Sequence, residues 1–162
     1  MDWLSRYEIL GVEKEIKTDI GGYNLTGFID LLLRDKETGE MTIVDHKSAK
    51  YPLSSKTGKV LKAHKDSFES YKRQMYLYCY AVKEEYGDFP KWIVWNHFKE
   101  RATVKIPFEM KEYINVLHWF VEMLNNIENE EEFPETYDFF YCNNLCEFRS
   151  SCEYANYRNE GE

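Results

Sequence analysis

The chain has 162 residues, 43% of them apolar and 31% charged, with a formal net charge of −8. That length suits one domain with its own core, and the negative balance excludes a protein that coats nucleic acid by bulk electrostatics. No apolar run approaches the ~18 residues of a membrane span, and Met1 to Glu15 lacks the basic-then-apolar order of a secretory leader, so a cytoplasmic setting is expected and the four cysteines read as thiols or metal ligands before disulfides.

In chain order, "GVEKEIKTDI" alternates apolar and polar residues through Val12, Ile16 and Ile20 and predicts a first strand. Gly21-Gly22 is a hairpin turn signal, "YNLTGFIDLLLRD" a second strand, "KETGE" the next turn, and "MTIVDHKS" a third strand. Tyr51 to about Lys65 holds Pro52, Ser54, Ser55, Thr57 and Gly58 and reads as a loop. Asp66 or Ser67 can cap a helix that runs to Tyr86 and ends at Gly87, with Phe68, Tyr71, Met75, Tyr78 and Val82 on one face. "KWIVWNHF" and "RATVKIPF" predict two more strands, with Trp92 and Trp95 expected in the core. Phe108 to Ile127 predicts a second long helix, with Met110, Tyr113, Leu117, Phe120, Leu124 and Ile127 on its apolar face and His118 at the core edge. Three strands, helix, two strands and helix predict an α/β domain: a mixed sheet containing an antiparallel three-strand meander, flanked by helices.

Charge is uneven along the chain. Lys47 to Arg73 holds eight Lys/Arg against Asp66 and Glu69, whereas residues 128–162 hold ten acids against Arg149 and Arg158. A basic loop can meet phosphates, so Lys50, Lys56, Lys59, Lys62 and Lys65 are candidate nucleic-acid contacts, although a solvated loop has the same composition. The expected organisation is a core over residues 1–130 and an acidic, cysteine-containing tail over 131–162.

Three side chains on the meander stand out. Asp30 interrupts the apolar run "FIDLLL", where an ionised carboxylate is costly without a partner or a metal. Asp45 ends the next strand, and the short turn between them lets antiparallel pairing bring the two carboxylates close. Like charges repel, and a divalent cation removes the penalty. Hard oxygen ligands suit Mg²⁺ or Mn²⁺, with the backbone carbonyl of His46 as a further oxygen. Lys47 shares a face with Asp45 and can orient or deprotonate an attacking water and offset charge in a phosphoryl transition state. A strand-end ion pair gives the same spacing.

"GFIDLLL" followed by "IVDHKS" resembles the G-x-x-D … (D/E)-x-K signature of the PD-(D/E)xK nuclease superfamily: Gly27 and Asp30 match its second motif, Asp45 and Lys47 its third. Gln74 and Tyr78, in "QMYLY", match the Q-x-x-x-Y motif of the RecB-type branch, which includes nuclease domains of helicase–nucleases, CRISPR adaptation nucleases and phage exonucleases. The resemblance spans about Gly11 to Val82. It implies a restriction-endonuclease-like core and a Mg²⁺/Mn²⁺-dependent deoxyribonuclease, exonuclease before endonuclease. Asp30 and Asp45 would hold metal, Lys47 would be catalytic, and Gln74 and Tyr78 would support the site. DNA ends or single strands would be the substrate, with a helicase or recombination partner and a role in phage biology or DNA repair.

In that family an N-terminal helix often supplies a further acid. Only about ten residues precede the first strand here, so the helical part is expected to be lacking, with Glu13, ahead of Glu8 and Glu15, as the substitute metal ligand. Several RecB-type nucleases end in three cysteines that, with one upstream, hold a 4Fe-4S cluster. Cys142, Cys146 and Cys152 resemble that tail but are spaced C-x3-C-x5-C, and no cysteine precedes Asp30, so a cluster, a zinc site and free thiols all stay open. Cys79 reads as a buried hydrophobe. Two other functions are compatible with the residues: a catalytically inactive or truncated DNA-binding module, and a structural metal-binding protein.

Overall fold

The computed structural model describes residues 3–131 and 138–152. Five strands form one sheet in the spatial order of the sequence: β1 (Tyr7–Ile20), β2 (Tyr23–Asp35), β3 (Met41–Lys47), β4 (Trp92–His97) and β5 (Ala102–Pro107). The first three form the expected antiparallel meander, β3 and β4 pair in parallel, and β5 returns antiparallel. The parallel pair needs a crossover, and α1 (Lys65–Tyr86) supplies it. A second long helix, α2, spans Met110–Asn129. The mixed α/β sheet with its meander is therefore the architecture that the alternation of apolar residues predicts.

Tight turns set the register. Gly21 and Gly22 both adopt left-handed backbone, with φ 64° and 92°, as a two-residue hairpin between right-twisted strands demands. Ile16 and Ile20 of β1, Ile29 and Leu32 of β2, Ile43 of β3 and Ile93 and Trp95 of β4 enter one core with Met75, Tyr76, Cys79 and Val82 of α1 and Tyr113, Val116 and Phe120 of α2. Phe89, Phe108 and Tyr113 form an aromatic cluster, with Phe89 stacked on Phe108 at 4.6 Å.

Several local expectations are corrected. β1 begins at Tyr7, four residues before Gly11, because Tyr7 to Ile9 pair with Leu33 to Asp35. An irregularity between Ile9 and Gly11 had hidden this stretch from the alternation pattern. Neither Asp66 nor Ser67 caps α1. The N-cap is His64, without a side-chain bond, because a 3-10 turn over Lys62–His64 leads into the helix, and the Ser67 hydroxyl instead donates to the His64 carbonyl. The loop before it contains one isolated bridge, Leu53 to Val60. Trp95 is fully buried, but Trp92 is half-buried beneath the Lys105 ammonium at 4.0 Å. On α2, Met110, Ile127 and His118 are exposed.

Residues 1–125 form one compact unit and 126–162 a second. In the second, α3 (Phe139–Asn144) is capped by Asp138, whose carboxylate accepts from the Tyr141 N–H at 2.7 Å. Phe140, Tyr141, Leu145 and Phe148 are exposed there. The expected tail over 131–162 lies partly outside the described residues. Among the described residues no helix is long and apolar enough to cross a membrane.

Candidate active site

The carboxyl end of β3 carries the site. Asp45 and Lys47 are two apart on one strand and share its inner face. The Lys47 ammonium lies 2.9 Å from Asp45 Oδ2 and 3.1 Å from Oδ1. Asp45 is 7% exposed. Its Oδ2 is buried and receives no hydrogen bond of good geometry, the short Lys47 approach being off-axis. Burial pushes the Asp45 carboxyl above the ordinary carboxylate range; contact with Lys47 opposes this and the charge of Asp30 adds to it. Lys47 also sits over the Tyr71 ring, 4.3 Å from its centroid, so an aromatic face and a carboxylate fix one ammonium.

Asp30 stands where β2 and β3 part. Leu31 pairs with Val44, and one step further Asp30 Oδ2 accepts the His46 backbone N–H at 2.6 Å. That bond ties the carboxylate to the peptide between the two motif residues of β3 and turns the His46 carbonyl into a neighbour of the same strand end. The His46 side chain leaves on the other face, where its Nδ1 lies 3.0 Å from Asn96 Nδ2 beside a groove lined by Leu31, Val44 and Val94.

Gln74 and Tyr78 occupy one face of α1, and the Gln74 amide donates to the Tyr78 hydroxyl at 3.0 Å. The Tyr78 ring packs on Gly27: a Cβ at that position would lie 2.8 Å from Tyr78 Cε1. The glycine of the β2 motif and the tyrosine of the helix motif are thus two halves of one contact. Tyr71, three residues before Gln74, was legible only as part of the apolar stripe; nothing in the sequence marked it as a support for Lys47.

Glu13 falls between the Val12–Leu31 and Lys14–Ile29 pairs, across from Asp30. It holds left-handed backbone with φ 45°, a conformation that costs a non-glycine residue energy and recurs at functional sites. Its side chain is exposed. Glu8 pairs with Arg34 and Glu15 with Lys17, so both are engaged elsewhere. Lys50, Lys56, Lys59, Lys62 and Lys65 are all exposed along the segment that leaves β3 and enters α1. Cys142, Cys146 and Cys152 are half-buried and form no disulfide among the described residues, and Cys79 is fully buried, its thiol pushed far up by desolvation. Among the described residues no three His, Cys, Asp or Glu side chains gather as a metal cluster.

A five-strand mixed sheet whose parallel β3–β4 pair is joined by a crossover helix defines the fold class. The chain belongs to the PD-(D/E)XK nuclease superfamily: the family model matches residues 4–153. Among solved structures, a candidate exonuclease from Eubacterium rectale aligns with a TM-score of 0.51 at 14% identity, over 87% of this chain and 51% of that one. The protein SSO0001 aligns with a TM-score of 0.45 at 19% identity, over 90% of this chain and 61% of that one. The chain therefore spans between half and two thirds of the length of these two proteins. None of the curated proteins matches the sequence.

Proposed function

We propose that this chain is the nuclease domain of a RecB-type enzyme that hydrolyses DNA phosphodiester bonds with a divalent cation, Mg²⁺ or Mn²⁺, working from DNA ends. The observation that carries the reading is the buried Asp45 carboxylate, with an oxygen lacking a well-aligned donor, one strand from Asp30. A buried carboxylate beside a half-buried one, with an oxygen that lacks a well-aligned hydrogen bond, fits a hard cation, and the His46 carbonyl is a third oxygen of the right kind. Asp30, Asp45 and that carbonyl would hold it, with Glu13 as a fourth donor from across β1. When bound, the cation would neutralise the carboxylates and polarise the phosphate.

The chain's own groups do the rest. Lys47 orients the attacking water and offsets charge that develops on the phosphate oxygens. Asp45 and Tyr71 hold its ammonium in place. Asp30, bonded to the His46 N–H, keeps the strand end and the carboxylates in register. Gln74 and Tyr78 buttress β2 at Gly27. Lys50, Lys56, Lys59, Lys62 and Lys65 supply phosphate contacts on the approach. The preference for DNA ends rests on the family likeness, with the Eubacterium rectale protein described as a candidate exonuclease.

The test is a cleavage assay on linear and circular DNA with Mg²⁺ or Mn²⁺. Linear DNA is expected to be degraded, circular DNA spared, and EDTA or Lys47→Ala to abolish turnover, a loss of at least ~10³-fold for a group that stabilises transition-state charge. Cleavage that survives EDTA or Lys47→Ala overturns the mechanism. Salt-sensitive DNA binding with no hydrolysis in Mn²⁺ would instead assign a non-enzymatic DNA-binding module. Metal and iron analysis of the purified chain distinguishes a zinc or 4Fe-4S site at Cys142, Cys146 and Cys152 from free thiols.

A further inference from the structure

β3 stops at Lys47, which makes the proposed catalytic lysine the last residue held by the sheet ladder. Strand ends fray unless the chain that leaves them is tied down. Here it is tied to the neighbouring strand. His97, the last residue of β4, pairs in parallel register with Lys47 and is 1% exposed. Its Nδ1 lies 2.9 Å from the Ala49 carbonyl. A carbonyl only accepts, so Nδ1 carries the hydrogen and donates, which sets the ring's orientation. Tyr51 stands edge-on to the same ring, with centroids 5.6 Å apart. The Tyr51 N–H in turn donates to Glu100 Oε2 at 3.0 Å, on the turn that follows β4. The segment just past Lys47 thus has two anchors on one hairpin, and the buried one is an imidazole.

We propose that His97 is a positioning residue for Lys47: its Nδ1–H···O=C bond to Ala49 clamps the chain beyond the strand end and so holds the Lys47 ammonium on Asp45. The proposal rests on the nuclease reading for its catalytic consequence but not for the clamp itself. The physical case is one of tolerance. A site must be held within ~0.5 Å of its productive geometry, and a displacement of ~1 Å can cost ~10²-fold in rate. Without the imidazole the Ala49 carbonyl loses its partner, and Ser48 to Lys50 are held only through their neighbours, Lys47 on the ladder and Tyr51 with its Glu100 bond and core packing. Chemistry suffers more than DNA binding, because the buried His97 itself offers no exposed group to DNA, and Lys50 is only one of five lysines proposed to meet phosphates.

The test compares His97→Phe, which keeps a ring for Tyr51 but has no donor, with His97→Asn, whose side-chain amide offers an N–H near the position of Nδ1. His97→Phe is expected to lower kcat by about 10- to 100-fold with KM within about twofold of the parent, and His97→Asn to recover most of that loss. Amide hydrogen exchange of residues 48–51 provides a second reading without catalysis: about tenfold faster exchange in His97→Phe, and near-parent rates in His97→Asn. An unchanged kcat in His97→Phe overturns the proposal. So do equal losses in both variants, which would mark a packing role only. If the parent cleaves no DNA with Mg²⁺ or Mn²⁺, the nuclease reading fails on its own, and the exchange rates decide the clamp: equal rates in parent and His97→Phe refute it.

Discussion

A single methyl group would separate Gly27 from Tyr78. The ring sits where a Cβ at residue 27 would be, 2.8 Å from Cε1 and 3.2 Å from the hydroxyl, and backbone in a strand cannot retreat without disturbing its ladder. Gly27→Ala is therefore expected to destabilise the fold by about 1–3 kcal/mol, the usual cost of forcing extra volume into a packed site. Denaturant titration reads this as a lower midpoint; a midpoint equal to the parent's would mean that α1 does not rest on β2 as described. Tyr78→Phe keeps the ring and removes only the partner of the Gln74 amide, so its cost should stay near ~1 kcal/mol. The motif residues Gly27, Asp30, Asp45, Lys47, Gln74 and Tyr78 are all readable from spacing and resemblance. What spacing does not reveal is that Gly27 exists for Tyr78, or that Tyr71 lies under Lys47, because both contacts join segments more than 20 residues apart.

At the scale of elements, the two long helices bring three reluctant acids together. Burial pushes the Tyr76 hydroxyl up to about 12, raises the Tyr113 hydroxyl, and raises the Cys79 thiol most of all. All three belong to the α1–α2 side of the core. The folded chain keeps protons that the unfolded chain releases above pH ~9, where a free thiol ionises. Fewer protons bound in the unfolded state means that stability falls as pH rises through that range. Thermal melts from pH 8 to 11 should show a steadily falling Tm above pH ~9, and a Tm flat to pH 11 would contradict the burial. Native Cys79 should also resist alkylation while Cys142, Cys146 and Cys152 react. Periodicity located every strand and both long helices, since each has one apolar face to bury. It failed at the edges: the first residues of β1 lie ahead of a register shift, and the entry to α1 passes through a 3-10 turn that leaves Asp66 and Ser67 inside the helix rather than at its cap.

For the whole molecule, the net charge of −8 conceals a basic segment that directly follows β3. The exposed lysines from Lys50 to Lys65 lie on the chain that joins the Asp45–Lys47 strand to the Gln74–Tyr78 helix, so charge and chemistry share one connection. DNA binding in Ca²⁺ should weaken steeply with salt. Lys56→Ala, Lys59→Ala and Lys62→Ala together should flatten the plot of log K against log salt by about 0.9 for each duplex phosphate that the variant no longer neutralises. An unchanged slope would make the segment an ordinary solvated loop. This distribution was visible in the sequence as a run of lysines after β3, whereas its place within the crossover between a parallel pair of strands emerges only from the sheet topology.

That crossover also sets an order of events. β1, β2 and β3 are joined by short turns and can zip locally, whereas β3 finds β4 only after the whole of α1 has been laid down between them. Closing so long a loop is slow relative to hairpin formation. The carboxylates of Asp30 and Asp45 thus become neighbours with the meander, but the His97–Ala49 bond forms only when the parallel pair closes. On that order the two acids would come together before the bond proposed to clamp the lysine's strand end.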